Sequence, residues 1–439
     1  MKYCNQPSAP SPGTFAAPLL DSFEQSPNVT IRWIRVGTLF DAARDECLPQ
    51  AHLVFDRDTI LYAGTDAPSP ELTAGAELVD LPDAMALPGL FDAHTHISMN
   101  GSTLDPDQRT KQQAQPPEIL LTESIHRAAA LARLAIVGMR DGGDKDGVGL
   151  ALSQRFKDSK GSDLPRILSP GAGIHRQGRY GSFFSRPLEE HPSMIACVAE
   201  RIQLGADHVK IVPTGIINFA KGTANAKPQF TAAEIAEAKA ASSAAGRQLM
   251  AHASGEAGIQ IAIEGGVDTI EHGYFLTRYQ LGMMRDKGIA WVPTFAPVWR
   301  QLVHADVMGW DAPICDNLRR ILDAHRQSLQ DALSIGVTLL VGSDAGSCGV
   351  AHGAGILDEM HLMEEAGMPA RTVLSQTCYG NEQTLAPGSR RPSLCPGAPA
   401  IFILAPRDTL QQTTGLESAF AISQNGIQAL SQMRTETRF

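Results

Sequence analysis

Two histidines separated by one residue, His94 and His96, close the apolar run "LPGLFDAHTHIS" at 87–98. Residues i and i+2 of a strand point to the same side. That spacing therefore aims both imidazoles at one point and suits chelation of a single metal ion. Polar side chains recur at the ends of later short apolar runs: Lys210 in "HVKIVP", His252 in "QLMAHAS", His272 in "VDTIEHG" and Asp344 in "GVTLLVGSD". Four imidazoles and a carboxylate make a ligand set, whereas an ammonium has no lone pair to offer. Lys210 joins the set if a desolvated position beside positive charge strips its proton. The neutral amine can then capture carbon dioxide, and the resulting carbamate is chemically a carboxylate. It would bridge two divalent ions, one held by His94 and His96, the other by His252 and His272. Zinc is the first expectation for such imidazole and oxygen ligands. Ions of this kind polarise a substrate carbonyl and bring the pKa of a bound water towards neutrality. Asp344 would ligate the first ion, accept a proton from that water and deliver it to a leaving amine.

Such side chains meet only if distant parts of the chain place them at one rim. From residue 87 onward, short apolar strands alternate with Ala-rich helical stretches, the rhythm of βα units around a parallel sheet. Eight strands are predicted: "MALPGLFDAH", "AIVGMRD", "RILSPG", "HVKIVP", "QLMAHAS", "VDTIEHG", "IAWVPT" and "GVTLLVGSD". Helices are predicted in "TESIHRAAALARLA", "TAAEIAEAKAASSAAG", "GEAGIQIAIEGG" and "NLRRILDAHRQSLQDALSIG". The expected fold is α/β, a (β/α)8 TIM barrel whose strand C-terminal ends share one mouth. Before and after it the sequence reads as β. "VTIRWIRVGTLF" alternates, "HLVFDRDTILYAG" suits a hairpin around Asp56–Asp58, and "AFAISQNGIQAL" suits a hairpin with a type I′ turn at Asn425-Gly426. Five segments follow: a flexible extension over 1–27, the first part of a small β-sandwich over 28–86, the barrel over 87–387, the second sandwich part over 388–431 and a tail over 432–439.

Composition narrows the partners. A net charge of −10 without a basic run disfavours nucleic acid and anionic membrane, and no apolar window approaches a membrane span. The first twenty residues lack a cationic stretch followed by a long apolar core, so no secretory signal is expected. Seven scattered cysteines with no C-x-x-C spacing fit a reducing cytoplasm and no cysteine metal site. The expected partner is a small-molecule substrate, with assembly into a homo-oligomer. His52, His126, His191, His208, His304, His325 and His361 are read as ordinary polar or core residues. Arg176, Arg179 and Tyr180, in "GAGIHRQGRYGSFFSRP", are candidates for gripping a substrate carboxylate, with Arg179 the better arginine. Phe219, Phe295 and Trp299 suggest a nonpolar substrate group.

These motifs resemble those of the amidohydrolase superfamily over about residues 30–430. "PGLFDAHTHIS" is similar to its P-G-x-x-D-x-H-x-H signature. "GMRDGGD" is similar to a segment of its imidazolonepropionase and dipeptidase-like members. "HVKIVPTG" resembles the strand of the carboxylated lysine, and "MAHASG", "IEHGYF" and "VGSDAG" the segments of the remaining ligands. The resemblance implies a binuclear, usually zinc, hydrolase. Its nearest likeness is to the group acting on Xaa-Pro dipeptides and N-acyl amino acids, in which a histidine assists the substrate carbonyl; His175 matches that position. Lys210 counts against imidazolonepropionase, which lacks the bridging lysine. One departure is "GAPAIFIL", with Ile401 where the family has Asp. The expected activity is cleavage of an amide C–N bond. The alternatives are an arylurea, carbamate, aromatic amide or lactone hydrolase, and, more remotely, a non-catalytic scaffold.

Overall fold

A computed structural model describes residues 14–25, 31–158, 164–182, 184, 186–224, 227–388 and 393–434. The described residues divide into two compact units. One draws on the described residues up to Phe91, Ala128–Gly138 and those from Pro369 onward, the other on those of Asp92–Arg127 and Met139–Met368.

The first unit is built from both halves of the chain, as its flanking β patterns require. Its sheet has seven strands in the order Gly426–Ala429, Phe420–Ser423, Phe402–Pro406, Leu78–Pro88, Arg32–Asp41, Glu46–Phe55 and Ile60–Gly64. Only Arg32–Asp41 and Leu78–Pro88 run parallel; the other neighbours are antiparallel. Alternate residues feed one core: Ile34 and Val36, Leu53 and Phe55, Ala84 and Ala86, Phe402 and Leu404. That is the period of two expected when one face of a sheet is buried. The Asp56 hairpin forms, its carboxylate accepting from the Asp58 and Thr59 amides at 2.9 and 2.6 Å.

Three details of this unit depart from expectation. Part of the predicted extension is ordered: Thr14–Ala16 is a 3-10 turn and Ala17–Gln25 a helix, with Ala16 and Leu19 fully buried one turn apart. A short apolar stripe gave that stretch a face to bury; residues 1–13 and 26–27 lie outside the described residues. The C-terminal hairpin forms, but Ser423 pairs with Gly426, which leaves Gln424 and Asn425 as the loop. Gly426 takes the positive φ of 102° while Asn425 does not, so the turn is not the type I′ form over Asn425-Gly426. A 3-10 turn, Leu430–Arg434, runs from the predicted second sandwich part into the predicted tail and buries Leu430 and Met433, and "TETRF" lies outside the described residues.

The barrel-type strands appear in two parallel arrays. Leu90–Thr95, Ile136–Asp141 and Arg166–Leu168 form one, and Val209–Ile211, Leu249–Ala253, Thr269–His272 and Ala290–Val292 the other. The first predicted strand is thus split, because Leu78–Pro88 belongs to the seven-stranded sheet and the new strand starts at Leu90. Single parallel bridges, Ile174 to Ile211, Trp291 to Leu339 and Thr95 to Ala345, continue the order of a TIM-like barrel. The eighth segment is not a regular strand. It is held by separate bonds, Leu340 N–H to Trp291 O at 2.8 Å, Ala93 N–H to Val341 O at 3.0 Å and Asp344 N–H to His94 O at 2.7 Å.

The helices between strands start where their caps predict. Ala232–Ala244 carries a capping box of Thr231 and Glu234, Arg278–Lys287 one of Thr277 and Gln280, and Ala312–Ile335 is capped by Asp311. Among the described residues no helix is long and apolar enough to cross a membrane.

Candidate metal centre

Five of the six candidate ligands lie in or just past barrel-type strands. His94 lies in Leu90–Thr95 with His96 one residue past its end, Lys210 sits in Val209–Ile211, His252 in Leu249–Ala253, and His272 ends Thr269–His272. In the parallel ladder Met250 pairs with Lys210, and Ala253 with His272. In that register Lys210 stands two residues before His252, and His272 one residue beyond it. The imidazoles form a chain of contacts: His96 to His94 at 5.5 Å between ring centroids, His94 to His272 at 5.1 Å, and His272 to His252 at 4.5 Å.

Asp344 joins them from the eighth segment. Its Oδ1 lies 3.6 Å from both His94 Nε2 and His96 Nε2, and the ligand atoms of the three residues all lie within 4.8 Å of one another. Two of the site residues leave the strand conformation to reach inward, His272 with φ of 68° and Asp344 with φ of 55°. Non-glycine residues seldom adopt that region, and such outliers concentrate at functional sites.

Hydrogen bonds around the cluster hold one polar atom each of His94, His96, His272 and Asp344. His94 Nδ1–H donates to Glu271 Oε2 at 2.6 Å, and Glu271 in turn accepts two bonds from Arg140 at 2.8 and 2.9 Å. Arg140 also donates to Ala93 O and Thr269 Oγ1, both at 2.9 Å. His272 Nδ1 contacts Thr294 Oγ1 at 2.8 Å, His96 Nδ1 contacts Gly143 O at 3.3 Å, and Ser347 Oγ–H donates to Asp344 Oδ2 at 2.9 Å. What remains is a set of buried atoms with no hydrogen-bond partner: His94 Nε2, His252 Nε2, Lys210 Nζ and Asp344 Oδ1. Buried polar atoms are ordinarily satisfied. Four orphans from four chain segments, three with lone pairs and one an amine, fit a bound cation.

Burial sets the charge states. It pushes all four imidazoles down, His96 and His252 to about 3, with the Lys210 charge adding to the effect. Neutral imidazole is the form that ligates metal. Burial lowers Lys210 to about 8 against the opposing pull of Glu271, and raises the Asp344 carboxyl to about 7.

The backbone makes room for these rings. A Cβ on Gly142 would stand 2.5 Å from His96 Cε1, so only glycine admits the imidazole there. Asp92, the acid of the D-x-H-x-H motif, accepts from the Ser343 amide at 2.9 Å and the His94 amide at 3.2 Å. It fastens the eighth segment beside the first strand.

The remaining sequence candidates fare unequally. His175 is buried one residue beyond Ile174, whose bridge to Ile211 sets it at the rim beside the lysine strand, and its Nδ1 contacts Arg176 O at 3.0 Å. The Tyr180 ring packs 5.3 Å from that of His252, and burial raises its phenol. Arg179 donates to the Lys227 carbonyl at 2.7 Å. Arg176 is engaged by Glu189 and Glu234 and lies 5.3 Å over the Phe230 ring, which gives it a structural partnership in place of a free fork. Phe295 is core, 4.5 Å from the His325 ring, and Trp299 lies under Arg300 at 4.8 Å. Phe219 faces Trp310 at 6.3 Å. Sequence reasoning passed over Glu271, Arg140, Thr294, Arg109 and His352, the last donating towards His96 O at 3.2 Å. Glu271 carried a usable signal, since it immediately precedes His272 in "IEHG".

Several known proteins resemble this chain. An uncharacterised protein of Mycobacterium tuberculosis is 28% identical over 343 residues, 78% of this chain and 84% of the relative. Ochratoxinase of Aspergillus niger is 24% identical over 396 residues, 83% of this chain and 78% of that protein. The crystal structure of a Xaa-Pro dipeptidase with methionine in its active site superposes with a TM-score of 0.74 at 24% identity, covering 91% of this chain and 100% of that one. The model of the amidohydrolase family matches residues 85–427, and the chain belongs to that family.

Proposed function

We propose that this hydrolase of the amidohydrolase family cleaves the amide bond of a dipeptide or N-acyl amino acid at a two-metal site. The observation that carries the reading is the convergence of orphaned ligand atoms from His94, His252, Lys210 and Asp344. His94, His96 and Asp344 would hold one divalent ion, His252 and His272 a second, and Lys210, carboxylated by carbon dioxide, would lie between them. Zinc suits these ligands. When bound, such ions polarise the scissile carbonyl and supply hydroxide at neutral pH.

The chain's own residues would do the rest. Glu271 holds the His94 ring with Nε2 turned to the centre, and Thr294 does the same for His272. Asp344 keeps Oδ1 free while Ser347 anchors Oδ2, and a carboxyl raised to about 7 suits a group that takes and returns a proton near neutrality. Tyr180, against His252, and His175 at the rim would orient the substrate carbonyl.

The test is a screen of metal-replete protein against dipeptides, N-acyl amino acids and arylureas. Turnover of the first two classes is expected. Turnover of arylureas alone would replace this reading.

A further inference from the structure

Arg109 is an arginine near this rim with no ion-pair partner among the described residues. It lies in the helix Pro106–Gln113, after the loop that follows the His94/His96 strand. Its Nη1 donates to Asn100 O at 2.8 Å and its Nη2 to Gly346 O at 2.9 Å. Those two bonds aim the head group and use two of five N–H donors. Among the described residues no carboxylate lies within ion-pair distance of it, although Arg176, Arg186, Arg278 and Arg300 all have one.

Its position is fixed against the site. Gly346 is two residues past Asp344, and a Cβ placed on Gly346 would stand 2.8 Å from the His96 Cβ. The guanidinium is thus seated between the loop after the first barrel-type strand and the loop after the eighth, where substrate enters such folds. It is partly exposed and therefore reachable. The negative charge of Asp344 reaches it, as its own charge reaches His96.

We propose that Arg109 receives the free carboxylate of the amino acid that leaves on hydrolysis. The assignment rests on the amide-hydrolase reading above and adds a substrate requirement to it. A guanidinium with three unused donors in one plane matches a carboxylate. Arg176, tied to two acids, is less free to do so. A leaving group lacking the carboxylate, such as an arylamine, would leave the arginine unpaired.

Equilibrium binding tests this without turnover. L-Phenylalanine, L-methionine and L-proline, and the three corresponding amino-acid amides, are titrated calorimetrically into metal-replete protein and its R109Q variant. Glutamine keeps a donor for the flanking carbonyls and removes the charge. The intact protein should favour acid over amide for at least one pair, and R109Q should bind that acid about 10- to 100-fold more weakly with amide binding unchanged. If R109Q does not fold, R109K is read instead, with a loss of about tenfold expected because an ammonium lacks the planar fork. Unchanged acid binding in the variant overturns the assignment, as does an intact protein with no preference for acids. Loss of the preference in R109Q, in a protein that hydrolyses no amide, sustains Arg109 and removes the hydrolytic reading.

Discussion

Glu271 and His94 meet at 2.6 Å, carboxylate to Nδ1–H, with both residues fully buried. Arg140 grips the same carboxylate, so its charge is balanced inside the protein. The pair commits His94 to one tautomer with Nε2 free. Glu271→Gln removes the charge and can present an amide N–H to the ring. Metal affinity should fall about 10- to 100-fold, measured by competition with a chromogenic chelator. Unchanged affinity in a folded variant would leave Glu271 a purely structural role.

Lys210 sits buried with no partner for its ammonium, and its pKa falls from 10.5 to about 8. An amine whose pKa is lower in the folded state sheds its proton on folding between those values. The unfolded chain then binds more protons, and stability of the metal-free protein rises as pH climbs from about 8 to 10.5. Lys210→Met should abolish this rise and stabilise the metal-free protein by roughly 3 kcal/mol at pH 7. Urea unfolding in the presence of chelator gives both quantities. The same variant should lose metal and activity, and Lys210→Ala should regain part of each with short carboxylic acids.

Asp344 combines a positive φ with the free Oδ1. Asparagine tolerates that backbone region better than most residues. Asp344→Asn should therefore fold normally while kcat drops by about 10²- to 10⁴-fold. A near-normal kcat would mean that another group moves the proton.

Gly142→Ala tests the space around His96. Its φ is ordinary, so the added methyl strains only the contact at 2.5 Å to the ring. Metal content should fall well below that of the unsubstituted protein, measured by elemental analysis, with its thermal midpoint in chelator little changed.

The candidate ligand side chains were legible as a group because strand ends in a barrel project to one rim, and apolar runs ending in His, Lys or Asp mark such ends. What surrounds them was not. Arg140 and Glu271 are charged residues inside short apolar runs, and nothing in either segment names the other as its partner. The carboxylate-gripping role read for Arg176 fails on contacts with Glu189, 13 residues away, and Glu234, 58 residues away. Likewise "GVTLLVGSD" reads as a strand, yet single bridges and separate bonds hold it in place of a continuous ladder. Apolar periodicity reports burial, and pairing depends on neighbours it does not contain.

That interrupted eighth segment has a consequence for inactivation. The carboxylate proposed to carry the proton, Asp344, rides on a stretch of backbone with a sparse ladder, fastened chiefly by Asp92 and a few isolated bonds. Sparse ladders exchange their amides early, through partial opening that spares the rest. Warmed short of full unfolding, metal-loaded protein should forfeit turnover while the four imidazoles still retain most of the added metal.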